Sequence, residues 1–282
     1  MKKILALMMF LSIMLAYGQK KSKIKGNREV ITRIYTVPPF LRVETDEEID
    51  ITLKKAADTT QIQLRADENL HEVLKWDVND GTLKLWLSKK IISKKKFEIT
   101  LFVGEKFQGI ILHNYAKVIT DEKIRLERLY VELHDRARVD GGFTVRDTVG
   151  IRLTDNARLR ADLEAASVYA DLDKNATWEG VVFTKELQVN MRRSADLRLK
   201  GSVKDLKITG ADRAKFSGQK LDIKNDADIR LTGKAVARIH GKGADRLRIQ
   251  LDGSALLSVS GDFAHYEIKR FQGDASLEHS SR

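Results

Sequence analysis

The sequence predicts an all-β chain wound as a parallel β-helix with coils of about 20 residues, and three observations carry that expectation. Alanines recur at a nearly constant interval, each just after a bend: Ala116, Ala137, Ala157, Ala176, Ala195, Ala214, Ala237, Ala255 and Ala275, spaced 21, 20, 19, 19, 19, 23, 18 and 20. The residues two after them are all apolar, from Val118, Val139 and Leu159 through Trp178, Leu197, Phe216 and Ile239 to Leu257 and Leu277. Four before them stand Leu112, Leu133, Leu153, Leu172, Met191, Gly210, Gly233, Leu251 and Phe271, while the residues five before are polar or charged except Ile111. One register therefore points inward and its neighbour outward, as in strands of period two.

The stretch RLTDNARLRA, residues 152–161, shows one coil. Ile151 and Leu153 face inward, Asp155-Asn156 turns the corner, and Ala157 and Leu159 resume. Leucine-rich repeats have coils of similar length but need LxxLxLxxN/C spacing and a helical return, which are missing here. Gly141, Gly180, Gly218 and Gly241, four past their alanines, are the expected corners.

From the N-terminus, Lys2-Lys3, the apolar run ILALMMFLSIMLA and Tyr17-Gly18 form the three zones of a secretory signal peptide, 1–18, cut after Gly18. The run is well short of the roughly 20 residues that span a bilayer. No second one follows, so the mature chain is expected to have no transmembrane span. Residues 19–105 form a β-rich N-terminal part without the alanine register, and 106–282 form the coils. Within the first part, FLRVETDEEIDITL alternates as strands, and a short helix is expected from Asp67 in ADENLHEVL. Trp76–Leu87 is expected to be a hairpin turning at Asn79-Asp80-Gly81. SKKIISKKK, residues 88–96, is a basic loop or edge that discourages pairing with other chains.

The chain has no cysteine, which removes disulfides, thiolate catalysis, cysteine metal sites and a lipid-bearing cysteine. The net charge is +11, and loss of Lys2 and Lys3 leaves +9. An exported basic chain is drawn to anionic polysaccharide, lipopolysaccharide or other envelope components. Nucleic acid fits poorly, since no recognition helix or aromatic single-strand platform is readable. The composition points to a bacterial envelope, periplasmic, outer-membrane-associated or extracellular.

FLRVETDEEIDITL, IQLRADENLHEVLKWDVNDGTLKLWL and FEITLFV, followed by coils such as VELHDRARVDG, resemble the auto-transporter adhesin head GIN domain family of bacterial envelope proteins. ADENL with NDGTLKL is the more specific part, and the resemblance covers most of the mature chain. It implies a right-handed parallel β-helix preceded by β structure, in an exported adhesin-like protein. It carries over no catalytic residues. Many relatives have a lipid-anchor cysteine and glycine- or serine-rich turns, whereas this chain has no cysteine and places charges at its turns.

Three outward groups are candidates for chemistry. Lys117, Arg138 and Arg158, each one past its alanine, would stack about 4.8 Å apart as a cationic ladder. Two readings stand: a track for a polyanion, or a solvated face screened by Asp135 and Asp155. Asp171 and Asp173 share a strand face at about 6.5–7 Å, near the carboxylate separation of inverting glycosidases. Arg152 and Arg192 in the adjacent coils would keep both ionised, which removes the general acid. His113 and His134 would stack on neighbouring coils without a nearby third ligand, so no metal site is expected. IHGKG at 239–243 is too short to assign to a glycan enzyme. No Ser-His-Asp set, phosphate loop or cofactor fingerprint is readable. The sequence thus predicts a non-catalytic, cofactor-free binding protein, with a pectinase-like enzyme and a structural protein with a protein partner as alternatives.

Overall fold

The computed structural model describes residues 21–57 and 61–279, so the expected signal peptide lies outside the described residues. The first nine strands are β1 (Lys23–Lys25), β2 (Val30–Thr36), β3 (Arg42–Thr45), β4 (Asp50–Lys55), β5 (Gln61–Asp67), β6 (Leu74–Asn79), β7 (Thr82–Leu87), β8 (Lys90–Ser93) and β9 (Phe97–Val103). Then come β10 (Gly109–Leu112), β11 (Lys117–Leu126), β12 (Leu129–Leu133), β13 (Arg138–Val145), β14 (Thr148–Leu153), β15 (Arg158–Leu172) and β16 (Thr177–Met191). The last six are β17 (Asp196–Gly210), β18 (Lys215–Ile223), β19 (Asp226–Leu231), β20 (Val236–Leu251), β21 (Leu256–Phe271) and β22 (Ser276–His279). From β10 onward every pairing is parallel, and each coil lies on the one before it in the register that the alanine spacing predicts up to Ala214. The fold is a parallel β-helix.

The corners have one chemical rule. Two residues before each alanine the backbone is left-handed, at Asn114, Asp135, Asp155, Lys174, Arg193, Asp212, Gly233, Gly253 and Gly273, with φ between 56° and 73°. The alanine N–H closes the turn on the carbonyl three residues earlier, as in Ala157 to Thr154 at 3.2 Å. The residue between them donates to the carbonyl of the left-handed residue one coil earlier, as in Asn156 to Asp135 at 2.7 Å and Asn175 to Asp155 at 2.8 Å. The left-handed residue thus aims its carbonyl along the stack, and Asn, Asp and Gly reach that conformation most cheaply. The alanines turn inward at these corners and are buried from Ala116 to Ala255.

Two expectations are corrected here. The seventh corner alanine is Ala235, not Ala237: Lys215 pairs with Val236 and Phe216 with Ala237, and Ala235 N–H bonds to the Thr232 carbonyl. Ala237 and Leu231 then replace Ile239 and Gly233 in the inward columns, and the spacings 23 and 18 become 21 and 20. Second, Gly141, Gly180, Gly218 and Gly241 are not corners, since none of them has positive φ. They are places of close approach: a Cβ at Gly180 would overlap the Ala161 carbonyl oxygen, and one at Gly218 the Phe216 ring.

The N-terminal strands close one end of the stack. β3 and β4 pair in parallel with β10 and β11 on one side and with β7 and β9 on the other. Spatial order departs from chain order, because the 82–103 coil lies outside the 42–55 coil. Beyond it both faces turn antiparallel, through β5 and β2 on one and β6 on the other. The hairpin turn at Asp80-Gly81 has positive φ at both residues, and the helix expected from Asp67 is a single 3-10 turn, Glu68–Leu70. Tyr35 of β2 packs on Trp76 of β6 with ring centroids 4.8 Å apart, and its hydroxyl pairs with His71 Nδ1 at 3.0 Å. This aromatic clasp ties the two faces together over Leu70, Val73 and Leu74, all buried.

Candidate functional site

The cationic ladder exists as a column. Lys117 pairs in register with Arg138, and Arg138 with Arg158. Its members differ in what surrounds them. Lys117 Nζ lies 3.3 Å from Asp140, the residue two beyond Arg138 on the same strand face, and the column below it begins with Asp50. Arg138 and Arg158 have no carboxylate at ion-pair distance among the described residues. Neither Asp135 nor Asp155 forms an ion pair with the ladder: Asp135 accepts the Asn114 N–H at 3.1 Å, and Asp155 is engaged by Lys174 and the Thr154 hydroxyl. The Lys174 contact, with the Thr154 hydrogen bond, holds the Asp155 carboxyl below its ordinary range. Beside Arg158, a surface hollow of about 190 Å³ is bordered by Arg160, Thr177, Asp196 and Arg198.

The acidic pair is occupied. Asp171 stands in register between Arg152 and Asn190 and accepts the Asn190 amide at 2.8 Å. Asp173 accepts Arg193 Nη1 at 2.6 Å and the Lys174 N–H at 2.8 Å. Partial burial pushes the Asp173 carboxyl up, but the Lys174 amide and the Arg193 guanidinium outweigh it and hold it below its ordinary range. Asp173 is therefore ionised at neutral pH and has no proton to give a leaving group. The cation that does this is Arg193, the left-handed corner residue, rather than Arg192 alone.

His113 and His134 stack with centroids 4.6 Å apart and planes 3° from parallel. His134 is held by Thr154 Oγ1 at 3.0 Å and Glu132 Oε1 at 2.9 Å. No group of three or more His, Cys, Asp or Glu side chains suited to a metal ion occurs among the described residues. His240 of IHGKG is buried with Nδ1 3.1 Å from Ser260 Oγ, a core contact.

A family model described as "Putative auto-transporter adhesin, head GIN domain" matches residues 39–263. The chain belongs to this family. Two crystal structures titled as putative adhesins have the same fold: one from Parabacteroides merdae ATCC 43184 (17% identity, TM-score 0.66) and one from Parabacteroides distasonis ATCC 8503 (16%, 0.68). In each case the match covers 92% of this chain and 100% of the other. A third, titled a putative lipid binding protein from Parabacteroides distasonis ATCC 8503, matches at 14% identity and TM-score 0.56 over 92% of this chain and 100% of its own. No curated protein matches the sequence. No helix among the described residues is long and apolar enough to cross a membrane.

The ADENL stretch that marks the GIN-domain resemblance has a structural task that sequence reasoning missed. Asp67 is fully buried, and its carboxylate accepts the backbone N–H groups of Arg28, Lys95 and Lys96 at 3.0–3.2 Å. Burial raises its pKa, but these amides, Lys95 and Lys96 first, pull it below the ordinary carboxylate value. Asn69 takes the Asn27 N–H at 2.9 Å and donates to the Lys25 carbonyl at 2.8 Å. Gly26 has no room for a Cβ against Asp67. The signal for this clamp was an Asp and an Asn two apart beside a strand; its partners are distant in sequence.

Proposed function

We propose that this GIN-domain protein is exported through the 1–18 signal segment and works as a non-catalytic binding protein of the cell envelope, presenting a basic β-helix flank to anionic glycans or lipopolysaccharide. The observation that carries the reading is that Arg138 and Arg158 stack in register with no carboxylate at ion-pair distance among the described residues. Two guanidiniums about 4.8 Å apart repel each other unless an anion bridges them. The family assignment to adhesin heads agrees with this role, and the tethered state of Asp173 argues against the glycan-cleaving alternative. In this reading 19–105 closes the end of the solenoid and 106–282 supplies the binding flank.

The test is retention on immobilised acidic glycans and lipopolysaccharides across a salt series, with release of new sugar ends followed in parallel. Arg138→Ala with Arg158→Ala should weaken retention and flatten its salt dependence. Unchanged retention sinks the ladder, and sugar release that is lost in Asp173→Asn reinstates the enzyme. A protein-partner reading is favoured by one further observation, the exposed Tyr266, Ile268, Phe271 and Leu277 on the last coil, which crosslinking in cells would test.

A further inference from the structure

The strongest charge concentration is elsewhere than the ladder. SKKIISKKK, expected to be a basic loop or edge, contains β8, which pairs in parallel with β1 as a separate two-stranded sheet at the closed end of the solenoid. Ile24 opposes Ile91, and both pack on the core. Lys23 stands directly against Lys90; a bulge then sets Lys25 opposite Ser93 and leaves Ile92 as the extra residue, and Lys23, Lys25, Lys90 and Ile92 are all exposed. Lys89, Lys94 and Lys95 flank these residues and are also exposed. None of these six lysines has a carboxylate at ion-pair distance among the described residues; Lys96 pairs with Glu98 and Lys21 with Glu47. Like charges directly opposite on a two-stranded sheet disfavour it in isolation. The fold nevertheless fixes it, by the Ile24–Ile91 contact and by the Asp67 clamp on the Lys95 and Lys96 amides.

Beside the flap opens a hollow of about 880 Å³ lined by Leu87, Ile91 and Phe97 together with Lys23, Lys89, Lys90 and Lys94. Lys94 Nζ stands 5.5 Å from the centroid of the Phe97 ring. Glu48 and Asp50 also line it, while Glu47 is taken by Lys21 and the Leu87 N–H. Edge protection would account for lysines alone. It does not account for an exposed isoleucine among them or for a hollow that brings Leu87, Ile91 and Phe97 together with four lysines. That combination is what an anionic lipid surface binds: phosphates to the ammonium groups, and an apolar side chain into the headgroup boundary.

We propose that the β1–β8 flap docks the protein on an anionic phospholipid membrane, with Lys23, Lys89, Lys90 and Lys94 on lipid phosphates and Ile92 in the interface. This does not draw on the arginine ladder. The purified protein should sediment with vesicles of phosphatidylcholine containing phosphatidylglycerol and not with phosphatidylcholine alone. Lys89→Glu with Lys90→Glu should lower the affinity by at least about tenfold. The charge-matched pair Lys185→Glu with Lys204→Glu, on exposed sites of the central coils, should lower it far less. Ile92→Ser should weaken vesicle binding while leaving retention on a soluble polyphosphate resin unchanged. Thermal melts confirm that each variant is folded. The proposal is overturned by equal binding to both vesicle types, by binding to neither, or by equal loss in the two lysine pairs. Indifference to Ile92→Ser makes the flap a general polyanion site and overturns the membrane assignment.

Discussion

The two ends of the solenoid use the same inward columns and treat them oppositely. In the outermost N-terminal coil, Leu83, Leu85, Ile99 and Leu101 are buried although no further parallel coil lies beyond them among the described residues. Antiparallel β5 and β6, the 3-10 turn and the Tyr35–Trp76 contact cover that end. In the outermost C-terminal coil, Tyr266, Ile268, Phe271 and Leu277 continue the columns of Leu247, Ile249, Leu251 and Leu257 but are 47%, 57%, 44% and 36% exposed. A solenoid position is therefore apolar because of its column, and buried only if something stacks on it. The corners differ along the stack as well: the first six carry Asn, Asp, Lys or Arg in the left-handed conformation and the last three carry Gly.

The largest effect is expected at the closed end. Asp67→Ala leaves the Arg28, Lys95 and Lys96 N–H groups without their buried acceptor and should cost about 3–5 kcal/mol in denaturant unfolding, with new proteolysis near Lys95. An unchanged midpoint would mean that the clamp does not hold the end together. The same carboxylate gives that end an acid dependence. Its folded pKa lies below the ordinary 3.8, so its stabilisation is complete above that value and is lost as pH falls through the folded value. Melts of the wild type taken below pH 3.8 should therefore converge toward those of Asp67→Ala.

Next comes a matched pair of truncations. Leu85→Ala should cost about 2–5 kcal/mol, and Leu277→Ala, in the uncovered coil, less than about 1 kcal/mol. Equal costs would show that the C-terminal end is covered in solution. The smallest effect concerns the glycine corners. Gly253→Ala should cost about 1–2 kcal/mol, because its φ of 73° disfavours a side chain. A neutral result there would mean that the corner relaxes around a methyl group that would otherwise stand 3.0 Å from the Gly233 carbonyl oxygen.

Much of the repeat was legible, because a parallel coil of fixed length converts spacing directly into stacking. That is why Arg138 over Arg158 and His113 over His134 could be read as neighbours, and why Asp155-Asn156 could be read as a corner. The slip from Ala235 to Ala237 arose in GKAVARI, where two alanines of the same parity both fit the inward pattern. Backbone hydrogen bonding at Thr232 and the left-handed Gly233 choose between them. The corner glycines were misread for a related reason: composition cannot separate a glycine needed for its φ from one needed for its missing side chain. The neutralisation of Lys117 by Asp140 depends on how far a lysine reaches from its own column, which spacing does not state.

The sequence by itself determined the coil, the inward columns and the placing of Arg138 over Arg158, since each follows from local alternation repeated at a near-constant period. Tertiary structure alone decided the order of the N-terminal coils, the burial of Asp67 and the pairing of β1 with β8. Those features join segments far apart in the chain that share no period, and only the closing of the solenoid's end brings them within hydrogen-bond distance.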